Sequence, residues 1–324
     1  MLPMARSAVK IGLIHNHRAG DALSIEDLTQ AIHSQGHEVV AVGSKSDGPV
    51  GLRLDRLDLV VAAGGDGTIA AVARAMAGSL VPLGILAMGT ANNIALSLGI
   101  PTDIDGAVAT WATARPRPLD LGVATGPWGE RWFVESVGGG LVTHSIVVMD
   151  RQAEESPTTT EQLARAVSAH ADVLGLSDPV PWRLVLDGKP IEGEFLLLEV
   201  LNMATIGPNL TLTESASPWD GRLTVVAATE EDRPAVASYL HRRAAGNGHP
   251  PLLRTWHGRE LTIARGDRLH VDDTVVGDPG ATGARVRIEP GAVRVLVPES
   301  PVHLAERASR DDARLPTVGD PLPT

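Results

Sequence analysis

Residues 59–68 read Leu59-Val60-Val61-Ala62-Ala63-Gly64-Gly65-Asp66-Gly67-Thr68. Five apolar residues without alternation predict a strand buried on both faces, as in a parallel sheet. The run enters three glycines around an aspartate. Ile69, Val72, Ala73 and Met76 then recur at helical spacing until Gly78. Strand, glycine turn and helix form one unit of a layered α/β fold, and the flanks repeat it. Val9–Ile14 predicts a strand, Ser24 an N-cap, Ile25, Leu28 and Ile32 a helix face, and Gly36 its stop. His37–Val42 and Leu83–Leu86 predict further strands, and Ala91–Leu98 a helix closed by Gly99 and Pro101. Residues 7–118 are therefore expected to form an α/β domain on a parallel sheet.

The texture changes after Arg117. Strand-like segments follow one another at Arg131–Ser136, Trp182–Asp187, Phe195–Asn202, Arg222–Ala228, Glu260–Ala264, Arg268–Asp272, Ala284–Ile288 and Ala292–Val297. Asp187-Gly188 is a hairpin turn signal. Two helices interrupt the strands, at Glu161–Leu174 and Pro234–Ala244, and 151–160 and 244–251 read as surface loops. Residues 119–300 are expected to form an antiparallel β-sandwich domain. The polar, proline-rich stretch 301–324 is expected to be a disordered tail.

Composition narrows the chemistry. The 324 residues carry a net charge of −11, which argues against tracking nucleic-acid phosphates. With no cysteine, disulfides, thiolate metal sites and a cysteine nucleophile are excluded. Aromatics make up 3%, so the core is expected to be aliphatic. No apolar run reaches transmembrane length and no signal peptide is recognisable, so the expected location is cytoplasmic.

The glycine turn is the strongest chemical signal. A helix N-terminus presents unpaired N–H groups, and glycines let a phosphate approach the backbone. No lysine follows as in a P-loop, so positive charge must come from a metal or from elsewhere. A second strand-turn-helix, Pro82-Leu83-Gly84-Ile85-Leu86-Ala87-Met88-Gly89-Thr90-Ala91-Asn92-Asn93, repeats the arrangement. Two such turns at one end of a parallel sheet define a nucleotide crevice.

GGDGT followed by P-x-G-I-x-x-x-G-T-x-N resembles the diacylglycerol kinase catalytic domain, with soluble bacterial lipid kinases the nearest in kind. The likeness extends through Leu119-Asp120-Leu121-Gly122, Phe133–Leu141, Asp220-Gly221, Leu269-His270-Val271-Asp272 and Val293–Pro298. It implies an ATP-dependent kinase of a lipid hydroxyl, using Mg²⁺ and working peripherally at a membrane by transient contact; it leaves a homodimer open. Gly64, Gly65, Asp66, Gly67 and Thr68 would cradle the phosphates, with Asp66 in the magnesium and water network. Gly89, Thr90 and Asn92 would contact the nucleotide from the second turn, and Ser44 from the end of the second strand. Asp272 matches the aspartate of a V-D-G-E motif and would be the general base. Asp220 would hold a structural Mg²⁺ with carbonyls near Ser217 and Arg222.

The chain departs from the family at several points. Asn16-His17-Arg18-Ala19-Gly20 replaces N-P-x-S-G, Asn93 and Val142 stand where aspartate is common, and V-D-G-E has become Val271-Asp272-Asp273-Thr274. These changes keep open a catalytically silent nucleotide- or lipid-binding protein, alongside an NAD kinase-like enzyme. Glu135, an acid inside an apolar strand, is expected to be paired or to face a cleft. Alternation along 269–272 places Asp272 toward the cleft and Asp273 away from it.

Overall fold

The structure is a computed structural model and describes residues 8–16, 23–46, 48–151, 159–277 and 283–299. The expected tail, most of the loop at 151–160 and the segment 17–20 lie outside the described residues. The chain opens on β1 (Lys10–His15), α1 (Ile25–Ser34), β2 (Glu38–Ser44), β3 (Leu59–Gly64), α2 (Asp66–Ala75), β4 (Leu83–Ala87), α3 (Asn93–Ser97) and α4 (Ile104–Thr110). β2, β1, β3 and β4 lie side by side and parallel, and every residue of β3 and β4 is buried. Ser24 caps α1, its Oγ accepting from Asp27 N at 3.0 Å. Ile11, Val60, Ile69, Leu83 and Ile94 belong to the core of this lobe.

The chain continues through β5 (Arg115–Gly126), β6 (Gly129–Phe133), β7 (Ser136–Gly140), α5 (Leu141–Arg151), α6 (Thr159–Leu176), β8 (Val180–Leu186), β9 (Lys189–Phe195) and β10 (Leu197–Leu201). After it come β11 (Thr205–Ile206), β12 (Leu210–Thr211), β13 (Leu223–Ala228), α7 (Arg233–Ala244), β14 (Arg254–Gly258), β15 (Glu260–Arg265), β16 (Leu269–Val271), β17 (Thr274–Val276) and β18 (Ala284–Val297).

Among the described residues one ten-stranded sheet runs β2-β1-β3-β4-β18-β15-β8-β9, with β5 on β18 and β6 on β5. A six-stranded antiparallel sheet, β14-β13-β10-β7-β16-β17, forms the second layer. Phe133, Trp182, Phe195, Val200, Val225 and Leu269 fill the space between the layers, which makes the expected sandwich. A third core, with Leu141, Val167, Leu174, Leu196 and Tyr239, joins α5, α6 and α7 to the six-stranded sheet.

Several details differ from the sequence expectation. The two strands expected at 284–288 and 292–297 are one strand, with a register shift between Glu289 and Val293 where Gly291 takes φ +62°. The expected strand Arg131–Ser136 stops at Phe133 and resumes at Ser136 in the other sheet, so Val134 and Glu135 form the crossing between layers. The residue pair 118/119, the expected domain division, lies inside β5. Leu196–Leu198 are buried in the core, whereas Leu252 is fully exposed in the loop after α7.

Candidate active site

One cleft of about 520 Å³ runs between the lobes. It is lined by Gly65, Asp66 and Gly67 of the first glycine turn and Gly89, Thr90 and Ala91 of the second. It is also lined by an apolar arm of Val142, Ile146 and Met149 from α5, Leu163 and Ala166 from α6, and Ile206 and Pro208. Glu135, Asp272, Asp273, Arg74, Asn93 and His270 also line it.

The glycines serve different ends. A Cβ on Gly65 would stand 3.0 Å from Gly89 Cα, and one on Gly89 would stand 2.5 Å from Gly65 Cα. The two turns therefore pack backbone to backbone, and Gly65 is required by that contact before any ligand arrives. A Cβ on Gly64 would meet Thr68 at 2.7 Å. At Gly67 the nearest atoms to such a Cβ are Asp273 Oδ2 at 3.3 Å and Lys45 Nζ at 3.6 Å. A lysine ammonium thus stands over the turn. Sequence reasoning missed it because it follows β2, far from the motif; its signal was its position directly after Ser44.

Asp66 lines the cleft and bridges the two turns, its Oδ1 accepting from Ile94 N at 2.9 Å at the start of α3. Burial raises its pKa above the ordinary aspartate value, against the amides of Ile94, Asn93 and Asn92 that favour the anion.

Asp272 is in the cleft, but not as a free carboxylate. Its Oδ2 accepts from Arg74 Nη1 at 2.7 Å, and its Oδ1 from the amides of Glu135 at 2.9 Å and Val134 at 3.1 Å. Burial pushes its pKa up, opposed first by the Arg74 charge and then by those amides. Asp273 does not point away as alternation predicted: both acids line the cleft. The strand ends at Val271, and Asp272 turns the chain into β17 at φ +49°, so alternation does not carry through.

Glu135 faces the cleft from the crossing between layers. Asn93 Nδ2 donates to its Oε2 at 3.3 Å and to Gly207 O at 2.7 Å. The amide that replaces an aspartate at position 93 thus meets an acid across the cleft. Burial, followed by the charges of Asp66 and Asp272, holds Glu135 well above the usual glutamate pKa. His270 lies below, pairing with Glu199 at 3.4 Å. Both residues are register partners of Gly138, whose missing side chain leaves room for the contact.

Other expected site residues lie elsewhere. Gly64 and Thr68 are buried behind the turn, Thr68 Oγ1 accepting from Asn16 Nδ2 at 3.1 Å. Asn92 closes its own turn, its Oδ1 accepting from Gly89 N at 2.8 Å. Ser44 Oγ lies 2.7 Å from Ser46 Oγ. None of these four lines the cleft. Thr90, which does, donates to Gln162 Oε1 at 2.9 Å. Ser217, Asp220 and Arg222 form a loop outside the cleft lining, where Asp220 Oδ1 accepts from Arg222 N at 2.9 Å, an Asx turn. Among the described residues no three His, Asp or Glu side chains converge as a metal site.

The family model of the diacylglycerol kinase catalytic domain matches residues 10–124, and that of the YegS C-terminal NAD kinase beta sandwich-like domain matches 144–297. The chain is 29% identical over 253 residues to a probable lipid kinase YegS-like of Stenotrophomonas maltophilia, covering 75% of this chain and 79% of that protein. It is 28% identical over 220 residues to a diacylglycerol kinase of Bacillus subtilis, covering 64% and 70%. A crystal structure of a diacylglycerol kinase from Bacillus anthracis superposes with a TM-score of 0.67 at 17% identity, over 93% of this chain and all of that one, which speaks for the fold alone. The chain thus carries, in order, a region that matches the diacylglycerol kinase catalytic domain and a region that matches the YegS C-terminal domain, and it is similar along most of its length to proteins named probable lipid kinases.

Proposed function

We propose that this protein transfers the γ-phosphate of ATP to the hydroxyl of a lipid, diacylglycerol or a close relative. The observation that carries the reading is one cleft lined together by two helix-opening glycine turns, an apolar arm and several carboxyl groups. The turns offer backbone amides and the Lys45 ammonium to phosphate oxygens; the arm takes acyl chain. Phosphoryl transfer needs in-line placement and charge neutralisation more than covalent chemistry, and backbone amides, a lysine ammonium and carboxyl groups around one cleft suit that task. Asp66 and Asp273 flank the turn and suit a magnesium ion that keeps its waters and arrives on the nucleotide phosphates. That ion would neutralise charge on the transferring group. Among the described residues no helix is long and apolar enough to cross a membrane. In this reading the lipid is met by transient, peripheral contact from the cytoplasm.

The test is incubation with γ-labelled ATP·Mg²⁺ and a panel of diacylglycerol, phosphatidylglycerol, sphingosine and ceramide, with NAD as control. Label in a lipid supports the reading. Label in NAD alone replaces it with a soluble acceptor. No label, with a thermal shift on adding ATP·Mg²⁺, leaves a silent binding protein.

A further inference from the structure

Four carboxyl groups, Asp66, Asp272, Asp273 and Glu135, line the cleft, and they differ in how far their oxygens are committed. Asp273 is exposed to solvent and accepts from Thr274 Oγ1 at 3.1 Å. Asp272 accepts from Arg74 and from two backbone amides, with its side chain 8% exposed. Asp66 caps α3. Proton uptake by either would break bonds already made to the anion. Among the three that are not exposed, Glu135 is held most loosely: Asn93 Nδ2 stands at a long 3.3 Å, and the Gly207 amide is its other donor.

Its backbone, by contrast, is fixed. Glu135 N donates to Asp272 Oδ1 at 2.9 Å, and its carbonyl accepts from the amides of Asn202 at 2.9 Å and Met203 at 3.2 Å. Asn202 Nδ2 in turn donates to Val134 O at 2.8 Å and Asp120 O at 2.9 Å. A loosely held carboxyl on a rigid mount at the cleft wall is what a positioned proton acceptor requires.

Resting on the kinase reading above, we propose that Glu135 is the catalytic residue that takes the proton of the acceptor hydroxyl, and that Asp272 is a positioning residue holding it. The hydroxyl oxygen forms a bond to the γ-phosphorus, and the bond from that phosphorus to the β–γ bridging oxygen breaks. The electron pair leaves on ADP, and the hydroxyl proton passes to a Glu135 carboxyl oxygen. The titratable and charged groups sharing the cleft are Asp66 and Arg74 of α2, His170 of α6, His270 of β16, and Asp272 and Asp273 of the turn. Enclosure and the Asp66 and Asp272 charges raise Glu135 well above the ordinary glutamate range. Turnover should therefore rise with pH through that raised value.

The experiment compares wild type, Glu135→Gln, Glu135→Asp and Asp272→Asn with γ-labelled ATP·Mg²⁺ and dispersed diacylglycerol or the best acceptor of the panel, over about pH 5–9. Glu135→Gln is expected to lose roughly 10²–10⁴-fold in kcat, the range for a general base, with KM for ATP changed less than about threefold. Glu135→Asp keeps part of the rate and moves the acid limb of the profile. Asp272→Asn loses rate but keeps an acid limb. If Glu135→Gln melts early, the shifted limb of Glu135→Asp carries the test. The assignment is overturned if Glu135→Gln keeps kcat within about threefold, or if the acid limb disappears only in Asp272→Asn. A wild type silent on every lipid removes the kinase reading and this assignment with it; an active wild type beside an equally active Glu135→Gln removes the assignment alone.

Discussion

Arg74 Nη1 lies 2.7 Å from Asp272 Oδ2, an ion pair between the helix leaving the first glycine turn and the turn at the edge of the six-stranded sheet. It ties the two walls of the cleft. Arg74→Met should leave the enclosed Asp272 carboxylate without its cation. Part of that cost is relieved by solvent, since the Arg74 side chain is 32% exposed. A loss of about 1–3 kcal/mol by denaturant unfolding is expected, below the fully buried case. Arg74→Met with Asp272→Asn should recover part of it, because the stranded charge is then gone. Equal losses in the single and double variants would show that the pair is not the tie.

The carboxyl of Glu135 sets a pH signature of its own. Its folded pKa is raised above the unfolded value, so the folded chain holds a proton that the unfolded chain releases. That contribution is complete below the unfolded glutamate pKa and is lost as pH rises through the folded one. Glu135→Gln should therefore melt higher than wild type near about pH 8, with the gap closing toward about pH 4. Thermal melts across that range decide it; a gap independent of pH would mean Glu135 carries no raised pKa.

The glycines of the first turn should separate into two kinds. Gly65→Ala sets a methyl 3.0 Å from Gly89 Cα, and Gly89→Ala sets one 2.5 Å from Gly65 Cα. Backbone cannot give way as a side chain does, so both should lose about 1–3 kcal/mol, Gly89→Ala the more. Gly67→Ala meets the ends of Asp273 and Lys45 and should keep the fold while weakening ATP binding. Melting temperature beside KM for ATP tells the kinds apart.

Lys45 is the cation placed over the turn. Lys45→Met should raise KM for ATP by roughly tenfold, about the 1.4 kcal/mol of one charge-assisted contact, and leave the melting temperature within a degree or so. Lys45→Arg should retain most of the affinity. A Met variant with unchanged KM would free the turn of any need for this side chain.

The periodic and glycine-punctuated parts of the chain were legible from sequence. The parallel strands, the Ser24 cap and the Asp187-Gly188 hairpin follow from local rules that tertiary packing then satisfies. What was hidden depends on the third dimension. Alternation placed Asp272 and Asp273 on opposite faces, but a left-handed turn residue brings both to the cleft. Gly138-Gly139-Gly140 is a strand without side chains, and Glu199, Trp182 and the carbonyl of Leu196 occupy the space where they would stand, a demand that local rules do not show. Glu135 was visible as an acid out of place, yet that it marks the step from one sheet to the other needed the sheet order. Lys45 carried no motif at all.

β18 reaches from β4 in the parallel lobe to β15 and β5 in the sandwich. It is the last described strand in the chain, and it lies beside a strand whose residues are all buried. On the ribosome, β4 therefore emerges long before the neighbour that covers its edge. Until residues 284–297 arrive, the nascent lobe carries an uncovered apolar edge of the sort that invites mispairing. Completion of the parallel lobe is thus a late event in this chain's synthesis, and a stop codon nearly two hundred residues past the glycine motifs would damage the lobe that contains them.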